Sequence, residues 1–265
     1  MFTILVCAKQ VPDTNEIKIN PETGSLIREG VPSILNPDDA NALEQALTIK
    51  DQDPENVHVT VISMGPPQAQ DMLFECIAMG ADEAVLLSDR AVGGSDTWAT
   101  SNAITATIEK YGKFDLIIGG RQAIDGDTAQ VGPQIAEKLH LPQVTYVQAF
   151  EMAADKKTVT VQRQLEDGYE VIEAPIPCML TCTKELNTPR FMNMKGIFQE
   201  NKDIKVWNAD DIGVDKTTVG LKASPTNVFR SFTPKPKGKG VILAGDTPKE
   251  VADKLIVSLK KKHVI

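Results

Sequence analysis

Short apolar runs alternate, along the first half of the chain, with longer stretches whose apolar residues recur at helical spacing. Most of the runs are apolar almost continuously, as strands that are buried on both faces must be. They predict strands at residues 2–8, 57–63, 83–87, 115–118 and 143–147. The stretches between them predict helices at 38–50, 68–79, 96–111 and 131–140. This alternation predicts an α/β fold with a doubly wound, mostly parallel sheet.

The pattern changes after residue 150. The runs 158–164 and 169–173 flank the turn LEDG and predict an antiparallel hairpin, and 176–182 predicts a further strand. No periodicity remains over 184–205, and the sequence FTPKPKGKG predicts an extended arm within 215–240. Thr247, Pro248 and Glu250 form a capping box that predicts a final helix. We therefore expect a main α/β domain at 1–205 and a C-terminal arm with a helix at 206–265.

Two local signals lie between the first strand and the first helix. Residues 17–27 predict a small hairpin with its turn at 21–24, which we expect to overhang the ligand edge of the sheet. Asn36 precedes Pro37 and two aspartates, and this order is typical of a helix start. We expect the side chain of Asn36 to cap the free N–H groups of that helix.

Composition excludes several classes of partner. The chain of 265 residues has 28 Lys and Arg against 36 Asp and Glu, a formal net charge of -8, and a pI near 5.0. An acidic chain repels the phosphates of nucleic acid and of anionic lipid, so we expect neither as a partner. The first apolar run has no basic residue before it and predicts a strand rather than a signal peptide. All four cysteines lie in apolar segments, which favours reduced thiols and a cytoplasmic setting.

Candidate chemistry concentrates in the loops that follow the strands, where a doubly wound sheet binds its ligands. They read CAKQVPDT, SMGPP, GGSDT and, at residues 119–134, GGRQAIDGDTAQVGPQ. The last one lacks both the Rossmann and the P-loop glycine spacings. A calcium loop starting at Asp125 would place Ala129, Gln130 and Ala136 where an oxygen ligand, a Gly and a Glu are needed. Spacing therefore excludes a calcium site.

A nucleotide cradle remains compatible with this loop. Gly119, Gly120 and Gly126 would permit positive φ and close backbone approach, and the helix that starts near Thr128 would attract a phosphate. Such a cradle needs several N–H groups and a cation such as Arg121 or Lys9. An ordinary polar loop that uses glycine for turning is equally compatible with the pattern.

Two further sets of residues are weaker candidates. His58, His140 and His263 stand without nearby Cys or carboxylate patterns, so we expect neither a zinc site nor a histidine-dependent triad. Phe191, Met192 and Met194 lie in aperiodic sequence, where they suit either an adaptable protein contact or the core.

Six segments together resemble the small (beta) subunit of the electron transfer flavoproteins. They are CAKQVPD, LNPDDANALEQAL, GPPQAQDMLFECIAMGADEAVLL, GGRQAIDGDTAQVGP, VQRQLEDGYEVIEAPIPCMLTC and LNTPRFMNMKGI. The resemblance implies a Rossmann-like adenine-nucleotide-binding fold and a heterodimer with a larger, FAD-bearing alpha subunit. It also implies that Phe191, Met192 and Met194 bind a dehydrogenase partner, and that the arm and final helix contact the alpha subunit.

The resemblance also implies which positions contact the nucleotide. Thr97 is not implied by the resemblance; we include it because it follows the third predicted strand. The cofactor-binding candidates are Cys7, Ala8, Lys9, Asn36, Asp39, Met64, Gly65, Thr97, Gly120, Arg121, Gln122, Ala123, Gly126, Asp127, Thr128, Ala129, Gln130, Val131 and Gly132.

The form DGDTAQVGP distinguishes two types within the family. The pattern of the AMP-binding housekeeping type has a run of three acidic residues after Ala-Ile. This chain has Gly126 between two aspartates at the same place. This form is similar to the electron-bifurcating type, which implies that the subunit binds FAD and accepts electrons from NADH. They would pass to the alpha-subunit FAD and an acyl-CoA dehydrogenase, and to ferredoxin or flavodoxin. A structural AMP and a stand-alone adenine-nucleotide-binding protein are the alternatives.

Overall fold

The structure is a computed structural model, and it describes residues 1–13, 18–19, 26–27, 32–199, 204–229 and 238–265. Its strands are β1 (Phe2–Cys7), β2 (Gln10–Pro12), β3 (Lys18–Ile19), β4 (Leu26–Ile27), β5 (Ser33–Leu35), β6 (Val57–Met64), β7 (Glu83–Leu87), β8 (Leu116–Gly120), β9 (Gln143–Met152), β10 (Thr158–Leu165), β11 (Gly168–Pro175), β12 (Cys178–Cys182) and β13 (Ile204–Trp207). Its helices are α1 (Pro37–Gln52), α2 (Ala69–Met79), α3 (Thr97–Tyr111), α4 (Val131–Lys138), α5 (Met194–Ile197) and α6 (Pro248–Lys261).

A nine-stranded sheet dominates the described part of the chain, in the order β11-β10-β9-β12-β8-β1-β6-β7-β13. The strands from β9 through β12 to β13 pair in parallel, and β10 and β11 add an antiparallel hairpin at one edge. The predicted α/β fold with a mostly parallel sheet and an added hairpin is confirmed.

Alternate residues of the central strands enter two separate cores, one on each face of the sheet. Ile4 and Val6 of β1 are buried in a cluster that includes Leu43 of α1, whereas Leu5 is buried in a cluster with Ile135 of α4. Because both faces are covered by helices, almost every residue of such a strand is apolar. The helices cover both faces of the sheet. The loops that follow the parallel strands therefore emerge at the carboxyl ends of these strands.

The region after β12 differs from the prediction. Residues 184–205 contain the short helix α5 and the start of β13, which pairs in parallel with β7 and crosses the domain boundary predicted after residue 205. Residues 215–229, predicted to belong to an extended arm, pack instead: Val219 is 3% exposed, and Thr218 O accepts a hydrogen bond from Asn102 Nδ2 at 2.9 Å. Two compact units result, 1–18 with 26–229, and 19–25 with 230–265.

The second unit contains α6, and its helix start matches the prediction. Thr247 Oγ1 accepts a hydrogen bond from Glu250 N at 3.3 Å, and Glu250 Oε2 accepts one from Asp246 N at 3.0 Å. The predicted insert hairpin appears as the pair β3 and β4, while its turn at 21–24 lies outside the described residues. No helix in the described ranges is long and apolar enough to cross a membrane.

Candidate functional site

The loops after β1, β6 and β8 meet the starts of α1, α3 and α4 at the carboxyl edge of the sheet. Gln10 Nε2, just beyond β1, donates to Gln68 O beyond β6 at 3.4 Å. Thr97 Oγ1, in the first turn of α3, donates to Gln130 Oε1 before α4 at 2.9 Å. The predicted residues of different loops are therefore brought together, and we call this edge, from Cys7–Lys9 to Gly120–Gly132, the cradle.

Asp39 connects the loops of the cradle through hydrogen bonds to their backbone. Its carboxylate accepts hydrogen bonds from Lys9 N at 2.8 Å and from Gly120 N at 2.9 Å, so the first turn of α1 holds the ends of two strands. Burial raises the pKa of Asp39 to about 7, although both of these hydrogen bonds lower it. Burial and the nearby Asp39 likewise raise the pKa of the Cys7 thiol to about 12, so that Cys7 is a neutral thiol and not a reactive thiolate.

The prediction that Asn36 caps the helix α1 is wrong. Its side chain makes no capping bond to α1. Instead, Asn36 Nδ2 donates to Gln122 O at 2.9 Å, and Asn36 Oδ1 accepts from Ile124 N at 3.1 Å. The side chain is fully buried and fixes the backbone of the loop that follows β8. Pro37 does occupy the start of the helix, as predicted.

The loop from Gly120 to Gly132 turns without positive-φ glycines. The left-handed residues are Asp127, with φ 50°, and Ala129, with φ 52°, whereas no positive φ occurs at Gly119, Gly120 or Gly126. Ala123 O accepts from Asp127 N at 2.9 Å and closes the turn. The predicted positive φ at these glycines is therefore wrong.

Close approach explains two glycines of the cradle. A Cβ on Gly120 would lie 2.4 Å from Asp39 Oδ1, and one on Gly132 would lie 2.5 Å from Thr181 Cγ2. Both positions are filled by the protein's own atoms. A Cβ on Gly126 would meet nothing within 4 Å.

Both cations proposed for the cradle are paired with carboxylates. Lys9 Nζ lies 2.6 Å from Asp125 Oδ1, and Arg121 Nε lies 3.5 Å from Asp38 Oδ2. The Arg121 guanidinium also lies 5.5 Å from the centre of the Tyr146 ring. The start of α4, in contrast, has no side-chain cap, which leaves its N–H groups available to an anion.

The remaining candidates line the same edge with fewer contacts. Ala8 N donates to Ile62 O at 2.9 Å, and Gly65 N donates to Leu87 O at 3.0 Å. Met64 packs against a buried cluster rather than presenting a polar group. Within the described residues, no group of three or more His, Cys, Asp or Glu side chains is arranged to hold a metal ion. The backbone N–H groups of Ala8 and Gly65 are thus used within the fold.

A second candidate surface lies on the segment 187–198, which we call the docking segment. Its apolar side chains point into solvent: Phe191 is 95%, Met194 67% and Met192 45% exposed. Exposure of these three residues agrees with the protein-contact alternative and not with the core alternative. Contiguous exposed apolar side chains commonly mark interaction sites.

The electron transfer flavoprotein domain matches residues 23–212 of the chain. A caffeyl-CoA reductase-Etf complex subunit of Acetobacterium woodii is 62% identical over 263 residues, covering 99% of both chains. An electron transfer flavoprotein subunit beta of Clostridium acetobutylicum is 57% identical over the whole of both chains. The acryloyl-CoA reductase electron transfer subunit gamma of Anaerotignum propionicum is 51% identical, with 99% of both chains covered.

The chain belongs to the electron transfer flavoprotein family. Its role is accordingly in electron transfer, as a relative of beta subunits that work within larger complexes.

For this electron transfer flavoprotein chain, the sequence patterns missed a polar stripe on α1. Asn41, Glu44 and Asp51 are spaced to share one face of that helix, and Asn41 and Glu44 are buried. The sequence signal for this stripe was the helical spacing of polar residues within a predicted helix that packs on the sheet.

Proposed function

We propose that the protein is the FAD-binding beta subunit of an electron-bifurcating electron transfer flavoprotein. The observation that carries this proposal is the cradle, where Lys9, Asn36, Thr97 and Gly120 converge beside the uncapped start of α4. Bound FAD would supply two-electron chemistry with NADH and one-electron transfer toward the FAD of an alpha subunit.

The chain's own groups would bind and orient that cofactor. The N–H groups at the start of α4 would hold phosphate, because a helix start combines free donors with the positive end of the helix dipole. Asp39 and Asn36 would keep the loops after β1 and β8 at fixed positions through their bonds to Lys9 N, Gly120 N and Ile124 N. The absence of a side chain at Gly126 leaves room outside the turn.

The proposed partners are an alpha subunit, an acyl-CoA dehydrogenase, and ferredoxin or flavodoxin. The names of the relatives support the first two, because they include subunits of a caffeyl-CoA reductase-Etf complex and of an acryloyl-CoA reductase. We propose that the docking segment binds the acyl-CoA dehydrogenase. We further propose that the C-terminal part, predicted at 206–265, contacts the alpha subunit through α6, on which Leu255 is 48% and Val257 64% exposed. A cytoplasmic location stays a prediction.

The flavin content of the co-expressed heterodimer tests this function. Two FAD for each heterodimer, with bleaching of both by NADH under anaerobic conditions, is the expected result. One FAD together with one AMP would overturn bifurcation and support the alternative, in which the cradle holds AMP as a structural ligand. ATP turnover without an alpha subunit would instead indicate a stand-alone nucleotide-binding enzyme.

A variant tests the placement of the nucleotide in the cradle. Gly126→Asp adds bulk and charge between Asp125 and Asp127, and it should weaken FAD binding by crowding and by repulsion of phosphate. Gly240→Asp, at a glycine whose added Cβ would also meet nothing within 4 Å and whose φ is not positive, controls for a new surface carboxylate. Equal affinities of Gly126→Asp and the wild type would count against contact between residue 126 and the phosphates.

A further inference from the structure

The docking segment inverts the usual distribution of polar and apolar side chains. Phe191 and Phe198 are 95% and 73% exposed, whereas Asn41 and Glu44, two polar partners of the segment on α1, are buried. Exposed apolar side chains gain little from burial in the free protein and cannot offset the entropy cost of ordering the segment. Other contacts must therefore fix its conformation.

Arg190 supplies the strongest of these contacts. Its Nε and Nη2 donate to Glu44 Oε2 and Oε1 at 2.8 and 2.9 Å, and its backbone N donates to Glu44 Oε2 at 3.0 Å. Arg190 Nη2 also donates to Asp51 Oδ2 at 2.7 Å. Glu44 is 8% exposed, so the carboxylate of this forked pair is largely removed from solvent, while the Arg190 side chain is 30% exposed. A forked pair of this kind fixes direction as well as distance.

Two further contacts hold the segment near each end. Asn41 Nδ2 donates to Asn187 O at 2.7 Å, and Asn187 Nδ2 donates to Asn41 O at 3.0 Å. At the far end, Asn193 N donates to Ala78 O at 3.0 Å. Gly196 approaches so closely that an added Cβ would lie 2.6 Å from Ala78 Cα.

The helix α1 therefore serves two surfaces at once. Its first turn places Asp39 under the cradle, and its next turns present Asn41 and Glu44 to the docking segment. A buried ion pair is weak evidence for stability, since well-packed apolar groups often stabilise as well. Orientation of the segment is the property that an apolar replacement would not supply.

We propose that Asn41 and Glu44 are positioning residues that hold the docking segment in its partner-binding conformation before the acyl-CoA dehydrogenase binds. The inference rests on the proposed function, because it takes the docking segment as the site of that partner. A segment that is already ordered pays less entropy on binding, so the effect belongs in the affinity for the partner and not in the chemistry.

Glu44→Gln in the co-expressed heterodimer tests the inference. An amide group cannot accept both arms of the Arg190 fork, because its N–H₂ would face an Arg190 N–H. We expect amide hydrogen exchange of residues 187–198 to become about tenfold faster, while exchange in the cradle and flavin content stay unchanged. With a purified acyl-CoA dehydrogenase as the electron acceptor, the KM for that protein should rise about tenfold at constant kcat.

Further variants separate the possible failures. Glu109→Gln makes the same chemical change at an exposed position on α3 and should alter neither quantity. Arg190→Lys keeps the charge but removes the fork, and it should reproduce the effect if Glu44→Gln folds poorly. Unchanged exchange at 187–198 in both Glu44→Gln and Arg190→Lys would overturn the inference, and so would faster exchange with an unchanged KM. If Met194→Ala, which leaves the anchors intact, also had no effect on KM, the proposed docking function itself would fail.

Discussion

Gly120→Ala is the sharpest perturbation of the cradle. The added Cβ would lie 2.4 Å from Asp39 Oδ1 and 2.7 Å from the carbonyl carbon of Asp38. The second neighbour is backbone in the first turn of α1, so it cannot yield by a change of rotamer. The strand end and the helix must separate, and the 2.9 Å hydrogen bond from Gly120 N to Asp39 Oδ1 is lost or lengthened.

Two effects set the magnitude. Overpacking in a dense interior costs about 1–3 kcal/mol. Loss of a hydrogen bond to a buried charged group costs about 1.5–3 kcal/mol. Because both arise from the same displacement, we expect a combined loss of about 2–5 kcal/mol in the free energy of unfolding, rather than the full sum. At roughly 2–4 °C for each kcal/mol in a chain of this size, Tm should fall by about 5–15 °C.

Thermal and urea unfolding of the purified protein measure this loss, and Gly126→Ala is the matched control. Its added Cβ would meet nothing within 4 Å, and Gly126 does not have a positive φ. The control should be neutral or stabilising by up to about 1 kcal/mol. If Gly120→Ala destabilised the protein no more than Gly126→Ala does, the close packing of β8 against α1 would be refuted.

Three other perturbations address the polar contacts of the cradle. Because the pKa of Asp39 is raised to about 7, its contribution to stability is fully present below about pH 4 and is lost as the pH rises through 7. Asp39→Asn should remove this slope, of at most about 1.4 kcal/mol for each pH unit, from urea unfolding measured between pH 5 and 7, and an equally steep slope in the variant would contradict the assignment. Asn36→Asp loses the donor to Gln122 O, and it should destabilise by about 1–3 kcal/mol and speed amide exchange at 122–127; unchanged exchange there would contradict the bridge. Asp125→Asn frees Lys9, and it should tighten AMP binding about two- to fivefold at low salt, with little change for adenosine; equal effects on both would exclude a contact with phosphate.

The sheet was predictable because its signal is local and repeated. In β1, Ile4 and Leu5 are buried in different cores. A strand that is buried on both faces therefore has an unbroken apolar run in its sequence. The hairpin β10–β11 was equally predictable, because its turn residues lie between two alternating runs. The packed course of residues 215–229 was not predictable, since it depends on single contacts such as Asn102 with Thr218 O.

Within the cradle, the positions were more predictable than the roles. The loops could be placed at the carboxyl edge from topology alone. Asn36 has the local sequence of a helix cap, yet a competing pair of hydrogen bonds to the loop at 122–124 takes its side chain. Local rules cannot anticipate such a bond between residues 86 positions apart. Positive φ at Asp127 and Ala129 was not predicted either, because neither residue type marks a left-handed turn as glycine does.

The glycines of the cradle differ in what requires them. Gly120 and Gly132 are required by the protein's own atoms, so their presence says nothing about a ligand. Gly126 is required by neither positive φ nor packing, and an alanine there would reduce the backbone entropy of the unfolded state. It also lies between two carboxylates, where a third would add repulsion toward phosphate. In the proposed function, the nucleotide that binds beside residue 126 accounts for the glycine at this position.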